Sequence, residues 1–310
     1  MIRTLLAGAV LLAALAGGRA FAAPAPQRHG SFPSPSPDGK LIAFASSRAA
    51  AIDPKQSAWM HMHIYLMSAD GTGVHQLTHS DTSDTAPVWT ADGTWIVFGA
   101  LRPGSDRTSL EAIKPDGTGR HTVMTGEFLP WVRLSPDGRR IIYTAVTHAS
   151  PAGIFTVGLD GSDRRELPTR LDRPWDGILS PDGKRLVFGR WPPGPDPEHQ
   201  TSEIYIADAD GAHRRLLATY PGVVQVASWS FDGRTIAYQT WTGGKGEADI
   251  VALDVASGQF HRVSRRDGVY LDETPSWTPD GRLLFQSTRS GSFEVYVMDP
   301  DGTHVRLLTP

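Results

Sequence analysis

The sequence predicts an all-β chain folded as a six-bladed β-propeller of four-stranded antiparallel blades. Three observations predict it. First, a short turn phrase recurs six times: Pro35-Ser36-Pro37-Asp38-Gly39, Trp89-Thr90-Ala91-Asp92-Gly93, Leu134-Ser135-Pro136-Asp137-Gly138, Leu179-Ser180-Pro181-Asp182-Gly183, Trp229-Ser230-Phe231-Asp232-Gly233 and Trp277-Thr278-Pro279-Asp280-Gly281. Its aspartates lie 54, 45, 45, 50 and 48 residues apart, a period that marks an array of like units. Second, each phrase leads into short runs of β-branched and aromatic residues, the composition of strands. Third, a second turn of the Asp-Gly or Ser-Gly type follows within each unit, as at Asp70-Gly71, Asp160-Gly161 and Ser257-Gly258.

Each element of the unit follows in order. Call the strands A to D from axis to rim. Strand A ends at the Trp or Leu of the phrase. Asp-Gly supplies the positive φ of a tight hairpin and opens strand B, as in Leu41-Ile42-Ala43-Phe44 and Leu186-Val187-Phe188. Strand C reads Ile64-Tyr65-Leu66-Met67 in the first unit and Val295-Tyr296-Val297-Met298 in the last. Strand D closes the unit, as in Arg214-Arg215-Leu216-Leu217. Four-stranded units set radially leave only short, protected edges. Strand D of the sixth unit is Val305–Leu308, so that blade is complete without an N-terminal strand and the ring is expected to close by packing alone.

The ends differ from the array. Residues 1–22 read as a secretory signal peptide: Arg3, an apolar run from Leu5 to Gly17, and Ala20-Phe21-Ala22 as a small-x-small cleavage site. The run is too short to span a membrane. Residues 23–30 form a short flexible segment, and residues 31–310 carry the propeller. The chain has no cysteine, which excludes a disulfide framework and a Cys-linked lipid anchor. A formal net charge of −3 gives no electrostatic footprint for nucleic acid. The expected product is a monomer in the periplasm, or secreted.

The phrase Pro-x-Trp-Ser-Pro-Asp-Gly, then a strand, Ile-Tyr-x-Met, Asp-Gly and Leu-Thr, resembles the repeats of TolB-like propellers. Pro275-Ser276-Trp277-Thr278-Pro279-Asp280-Gly281 with Val295-Tyr296-Val297-Met298 matches best, and Pro87-Val88-Trp89 keeps the same start. The resemblance covers the array and implies a TolB-like propeller without the additional N-terminal α/β domain of TolB. It implies a partner in the cell envelope, such as a lipoprotein. The repeat also resembles blades of the tricorn protease, of prolyl oligopeptidase-like peptidases and of oligogalacturonate lyase.

Alternate loops of a meander share a face. The A–B and C–D connections are nearly all Asp-Gly turns, so irregularity gathers on the face of the B–C and D–A connections. Scaffold-held variable loops are where binding usually sits. Trp59, Trp131, Trp175, Trp191 and Trp241 fall in those segments and are candidate recognition residues or blade-gap fillers. Asp84 and Asp272 share the frame Asp-x-x-Pro-x-Trp, and Glu127, Asp172, Asp176 and Glu273 occupy similar approaches to strand A. Converging carboxylates there would suit Ca²⁺ in the central channel. Loop capping is the alternative role for them. His61 and His63, one residue apart at the start of a strand, would point the same way and begin a metal site, together with Asp84 and Asp272. No other cofactor is expected.

No catalytic residue is assigned, since the sequence has no Gly-x-Ser-x-Gly elbow, no His-Glu-x-x-His and no phosphate loop. The expected function is a non-catalytic periplasmic propeller that binds a protein partner through its loop-rich face. The alternative is a carbohydrate-active enzyme or glycan binder, with His61 or His63 as base and Arg133 neutralising a uronate.

Overall fold

A computed structural model describes residues 30–48, 61–102, 105, 108–126, 132–147, 150–169, 171, 174–192, 201–242, 247–264 and 270–309. Twenty-four strands form six sheets of four. Blade 1 holds β1 (Ser31–Pro35), β2 (Leu41–Ser46), β3 (His63–Ser68) and β4 (His75–Gln76). Blade 2 holds β5 (Ser83–Trp89), β6 (Ile96–Leu101), β7 (Thr108–Ile113) and β8 (His121–Gly126). Blade 3 holds β9 (Val132–Leu134), β10 (Arg140–Thr147), β11 (Ser150–Gly158) and β12 (Arg165–Glu166). Blade 4 holds β13 (Pro174–Leu179), β14 (Arg185–Arg190), β15 (Ser202–Asp208) and β16 (Arg215–Tyr220). Blade 5 holds β17 (Val223–Trp229), β18 (Thr235–Thr242), β19 (Glu247–Asp254) and β20 (Phe260–Arg262). Blade 6 holds β21 (Asp272–Trp277), β22 (Leu283–Ser287), β23 (Glu294–Met298) and β24 (Arg306–Leu307). Every sheet runs in chain order and every pair is antiparallel.

The recurring phrase is turn chemistry. Ser36 Oγ donates to Asp38 Oδ1 at 2.7 Å and accepts the Leu41 N–H at 2.9 Å, while Asp38 Oδ1 accepts the Lys40 N–H at 3.1 Å. Thr90, Ser135, Ser180 and Ser230 repeat all three bonds with Asp92, Asp137, Asp182 and Asp232. Thr278 donates to Asp280 and accepts the Arg282 N–H in a turn one residue shorter. These bonds favour the ionised carboxyl: the Ser36 hydroxyl and the Lys40 N–H hold Asp38 down to about 2. Gly39 follows at φ 70°, which a side chain at Asp38's neighbour would disfavour.

The core lies between blades. Ala43, Ile64 and Leu66 of blade 1 pack with Trp89, Ile96 and Phe98 of blade 2. The same arrangement joins blades 4 and 5 through Val187, Ile204, Trp229 and Tyr238, and blades 5 and 6 through Ala237, Ile250, Trp277 and Phe285. The repeat Trp therefore fills the seam with the preceding blade. Leu179 takes its place at the seam of blades 3 and 4, next to a smaller cluster of Ile142, Ile154, Leu186, Phe188 and Ala207.

The closing seam joins blade 6 to blade 1 through Ile42, Phe44, Tyr65, Leu284 and Val295. Blade 6 draws its four strands from residues 272–307, and no strand from the described N-terminal residues enters it, although backbone and side-chain hydrogen bonds join packing across the seam. The Gly30 N–H donates to Phe293 O at 2.9 Å, the Phe32 N–H to Gln286 Oε1 at 3.1 Å, and Arg306 Nη1 to Asp70 O at 3.0 Å.

The inner strands carry a feature that the repeat phrase does not announce. Register shifts interrupt the pairing of β1, β5, β13, β17 and β21 with their neighbours. At four of these bulges a non-glycine residue takes the left-handed conformation: Phe32 (φ 52°), Ala86 (51°), Asp176 (52°) and Thr274 (51°). Neighbouring blades hold it in place, since Gln286 accepts the Phe32 N–H and Gln239 accepts the Thr274 N–H at 3.1 Å.

Candidate binding face

The B–C and D–A connections open on one face and the uniform turns on the other. Of the acids predicted for the loop face, the four among the described residues, Asp84, Asp176, Asp272 and Glu273, are each engaged with a partner. Asp84 is fully buried; both its oxygens meet the Arg120 guanidinium at 3.2 Å, and Thr82 Oγ1 donates to it at 2.7 Å. Arg120 also donates to Glu111 at 2.6 Å and lies over the Phe98 ring. Burial acts to lower the Arg120 guanidinium, but Asp84 and Glu111 overcome it and raise it. Asp272 pairs with Arg289 at 2.6 Å, and that guanidinium stacks on Tyr270. Burial pushes the Asp272 carboxyl up against the pull of Arg289. Gln286 Nε2 donates to Glu273 at 2.6 Å.

Asp176 joins three blades. Its Oδ1 accepts from Arg133 Nη2 at 3.2 Å, and its Oδ2 accepts the Ala227 N–H. Arg133 continues past it to Ala227 O at 3.3 Å. These acids thus serve mainly to tie inner strands and seams. Among the described residues no group of three or more His, Asp or Glu side chains is placed to hold a metal ion.

His63 begins β3, whereas His61 lies in a 3-10 helical position before it rather than on the strand. Burial lowers the His63 imidazole, opposed by Asp84, and its Nδ1 is buried with no partner among the described residues.

Trp175 is buried, at 6% exposure, and stacks on Trp191 with ring centroids 5.3 Å apart. It meets Tyr238 of blade 5 edge-on at 6.5 Å. Gly189 makes room for it: a Cβ there would sit 2.1 Å from the Trp175 ring. Trp175 is therefore part of the seam of blades 4 and 5. Trp191 packs against the same cluster, and Trp241 sits on β18, half-buried. Trp59, Trp131, Glu127 and Asp172 lie outside the described residues.

The inner strands of all six blades enclose a central channel of about 190 Å³, lined by Ser34, Ala86, Arg133, Ile178, Ser228, Thr274 and Ser276 among others. Sequence reasoning did not single out this lining, apart from Arg133. The signal was present: Ser34, Val88, Arg133, Ile178, Ser228 and Ser276 each directly precede the Trp, Leu or Pro that opens a repeat phrase. Arg133 is the charged member of that column.

Residues 193–310 match the TolB beta propeller domain family. Over that stretch the chain is similar to the TolB propeller. TolB from Acinetobacter baumannii superposes with a TM-score of 0.64 at 17% identity, over 88% of this chain and 61% of that one. Among curated proteins, the TolB-like propeller is 27% identical to dipeptidyl-peptidase 5 of Porphyromonas gingivalis over 260 residues, 80% of this chain and 36% of the peptidase. It is 30% identical to the Tol-Pal system protein TolB of Francisella tularensis subsp. mediasiatica over 101 residues, 31% of this chain and 22% of that protein. The chain thus spans 36% of the peptidase and 22% of the Francisella protein, well under two thirds of either. No helix among its described residues is long and apolar enough to cross a membrane.

Proposed function

We propose that this TolB-like propeller is a non-catalytic protein of the periplasm that binds a protein partner of the cell envelope through its loop-rich face. One observation carries the reading: the A–B connections repeat one hydrogen-bonded turn in all six blades, and in an antiparallel meander the B–C and D–A connections, which vary in length and sequence, leave from the opposite ends of the strands. A rigid ring that varies its loops on one side is built to present a recognition surface. The described carboxylates of that face support the same reading, since each is committed to an arginine, an amide or a hydroxyl that fixes the scaffold. The likeness to a Tol-Pal system protein supports an envelope partner, and the apolar run at residues 5–17 with Ala20-Phe21-Ala22 supports export.

The test is capture from a cross-linked envelope extract. Three baits are compared: wild type, a variant with residues 193–200 replaced by a Gly-Ser linker, and a turn-face variant, Phe231→Ala. One envelope protein held by wild type and Phe231→Ala, and lost by the loop variant, is the expected result. Equal capture by all three baits, or turnover of an envelope substrate by the purified protein, defeats the reading. Amino-terminal sequencing of the exported protein is expected to begin at Ala23.

A further inference from the structure

We propose that the groove between the turns of blades 2 and 3 binds a neutral oligosaccharide, with the Trp95 indole as its apolar wall and Asp92, Asp137, Asp160 and Arg139 as its hydrogen-bonding rim. The groove lies on the turn face, so it stands apart from the loop surface and does not depend on it.

The turns that build the groove are fixed to one another. The Thr90 N–H donates to Trp95 O at 2.9 Å and closes the turn that carries Asp92. Gly138 sets the turn of Asp137 against it, since a Cβ there would lie 3.0 Å from the Ala91 nitrogen. The Leu159 N–H donates to Arg139 O at 3.2 Å and brings the turn of Asp160 alongside. Together they border a space of about 710 Å³, within the range of small-molecule clefts, about 300–1,000 Å³. A ligand can reach every group that matters: Asp92, Thr94, Asp137, Arg139 and Asp160 are exposed, and Trp95 is half-buried. The indole is particular to this seam. At the matching place the other blades carry Leu41, Arg140, Arg185, Thr235 and Leu283. Gly119 lets the ring lie close, since a Cβ there would sit 3.0 Å from it. His121 meets the ring edge-on with centroids 5.0 Å apart, and Lys114 Nζ lies 5.4 Å from its centroid, so the wall is held in place.

The rim defines the ligand. Asp92, Asp137 and Asp160 each spend Oδ1 on their own turn: Oδ1 takes the Thr90 hydroxyl at 2.6 Å, the Ser135 hydroxyl at 2.5 Å and the Ser162 hydroxyl at 2.6 Å, with one backbone N–H apiece. Each Oδ2 stays outside those bonds. The Arg139 guanidinium donates to no described residue, whereas its neighbour Arg140 is held by Asp163 at 2.8 Å. The groove therefore offers acceptors and a donor side by side around an aromatic ring. A sugar hydroxyl both donates and accepts, and a pyranose sets its hydroxyls around the edge of a ring whose C–H groups can cover an indole. A flat apolar wall with a few placed polar groups is the pattern that orients such a ligand. Charge narrows the class. The excess of carboxylates turns away uronates and phosphates. A bare cation gains little from carboxylates that water screens, and it meets Arg139 and Arg140 beside them.

Calorimetric titration of the full chain tests this. The probes are three neutral trisaccharides, maltotriose, cellotriose and the N-acetylglucosamine trimer, beside the cationic glucosamine trimer and the anionic galacturonate trimer. At least one neutral trisaccharide is expected to bind, with both charged trimers weaker by about tenfold or more. Trp95→Leu matches Leu41 and Leu283 of blades 1 and 6, and is expected to weaken that sugar about tenfold. Arg139→Ala removes an exposed side chain that holds no described partner, so it is expected to weaken the sugar about fivefold and leave the melting temperature within a few degrees of wild type. Phe231→Ala, elsewhere on the turn face, is expected to bind as wild type does. Silence with all three neutral sugars, equal binding of a charged trimer, undiminished binding by Arg139→Ala or by a folded Trp95→Leu, or an equal loss in Phe231→Ala overturns the proposal. Should Trp95→Leu fail to fold, Arg139→Ala and the charged trimers decide alone.

Discussion

Asp84 carries a charge into the seam of blades 1 and 2, where nothing of it reaches solvent, and Arg120 meets both its oxygens. Removing the cation strands a buried anion, so Arg120→Ala is expected to cost about 3–5 kcal/mol in urea unfolding. The double variant Asp84→Asn/Arg120→Ala is expected to lose clearly less than the sum of the two single changes, because neither partner is then left alone. The same arginine explains an oddity of the repeat. Phe44, Tyr143, Phe188 and Phe285 each face an aromatic residue across strands B and C: Tyr65, Phe155, Tyr205 and Tyr296. Phe98 faces Glu111 instead, and Arg120 binds that glutamate while covering the ring. Gly189 is a second decisive residue. With the Trp175 ring 2.1 Å from any Cβ, Gly189→Ala forces the indole or the strand to move. The expected loss is about 1–3 kcal/mol, with a change in near-ultraviolet dichroism as the Trp175–Trp191 stack is disturbed.

The strands were legible at the scale of elements because each is bracketed by turn residues whose chemistry is local. Asp38, Asp92 and Asp137 bond within a few residues of themselves, so their role needs no knowledge of the fold. The bulges were not legible. Phe32, Ala86 and Thr274 carry no local preference for the left-handed conformation, and partners from neighbouring blades impose it on Phe32 and Thr274. The candidate site was half legible for the same reason. Asp84, Asp176 and Asp272 were visible as acids near strand A, but their arginines come from positions 36, 43 and 17 residues away. Trp175 was visible as an aromatic, whereas its burial depends on the absent side chain of Gly189. A bulge prediction follows. Ala86→Gly removes a left-handed cost of roughly 1–2 kcal/mol and adds an entropic cost of about 0.5–1, so it is expected to be neutral or stabilising by up to ~1 kcal/mol. Ala86→Val is expected to destabilise. Thermal melts of the pair check the sign.

Across the whole molecule the turn carboxylates act together. Asp38, Asp70, Asp92, Asp116, Asp137, Asp160, Asp182, Asp232 and Asp254 are all held below the usual 3.8 by hydrogen bonds from hydroxyls and backbone amides. The unfolded chain therefore takes up protons before the folded one does as pH falls, and stability drops. The effect is fully present above the unfolded value and is lost from about pH 4 down toward the folded values, about 2 for Asp38. Asp272, raised by burial, works in the opposite sense as a single group. A series of melts between pH 6 and pH 2 is expected to fall steeply below about pH 4; a flat profile would show that the turns do not hold the blades. The closing seam carries its own expectation. Blades 6 and 1 are not consecutive in the chain, so their backbone amides are expected to lose hydrogen-exchange protection before those of blades 2 to 5. Since each sheet is one uninterrupted stretch of chain, the point where the chain enters the ring marks no privileged place on the circle. Moving that point to any crossing between consecutive sheets, with residues 310 and 30 joined by a short linker, would leave every hairpin intact. A circular permutant beginning at Ser83 should therefore fold to the same ring, its weakest joint shifted one position around.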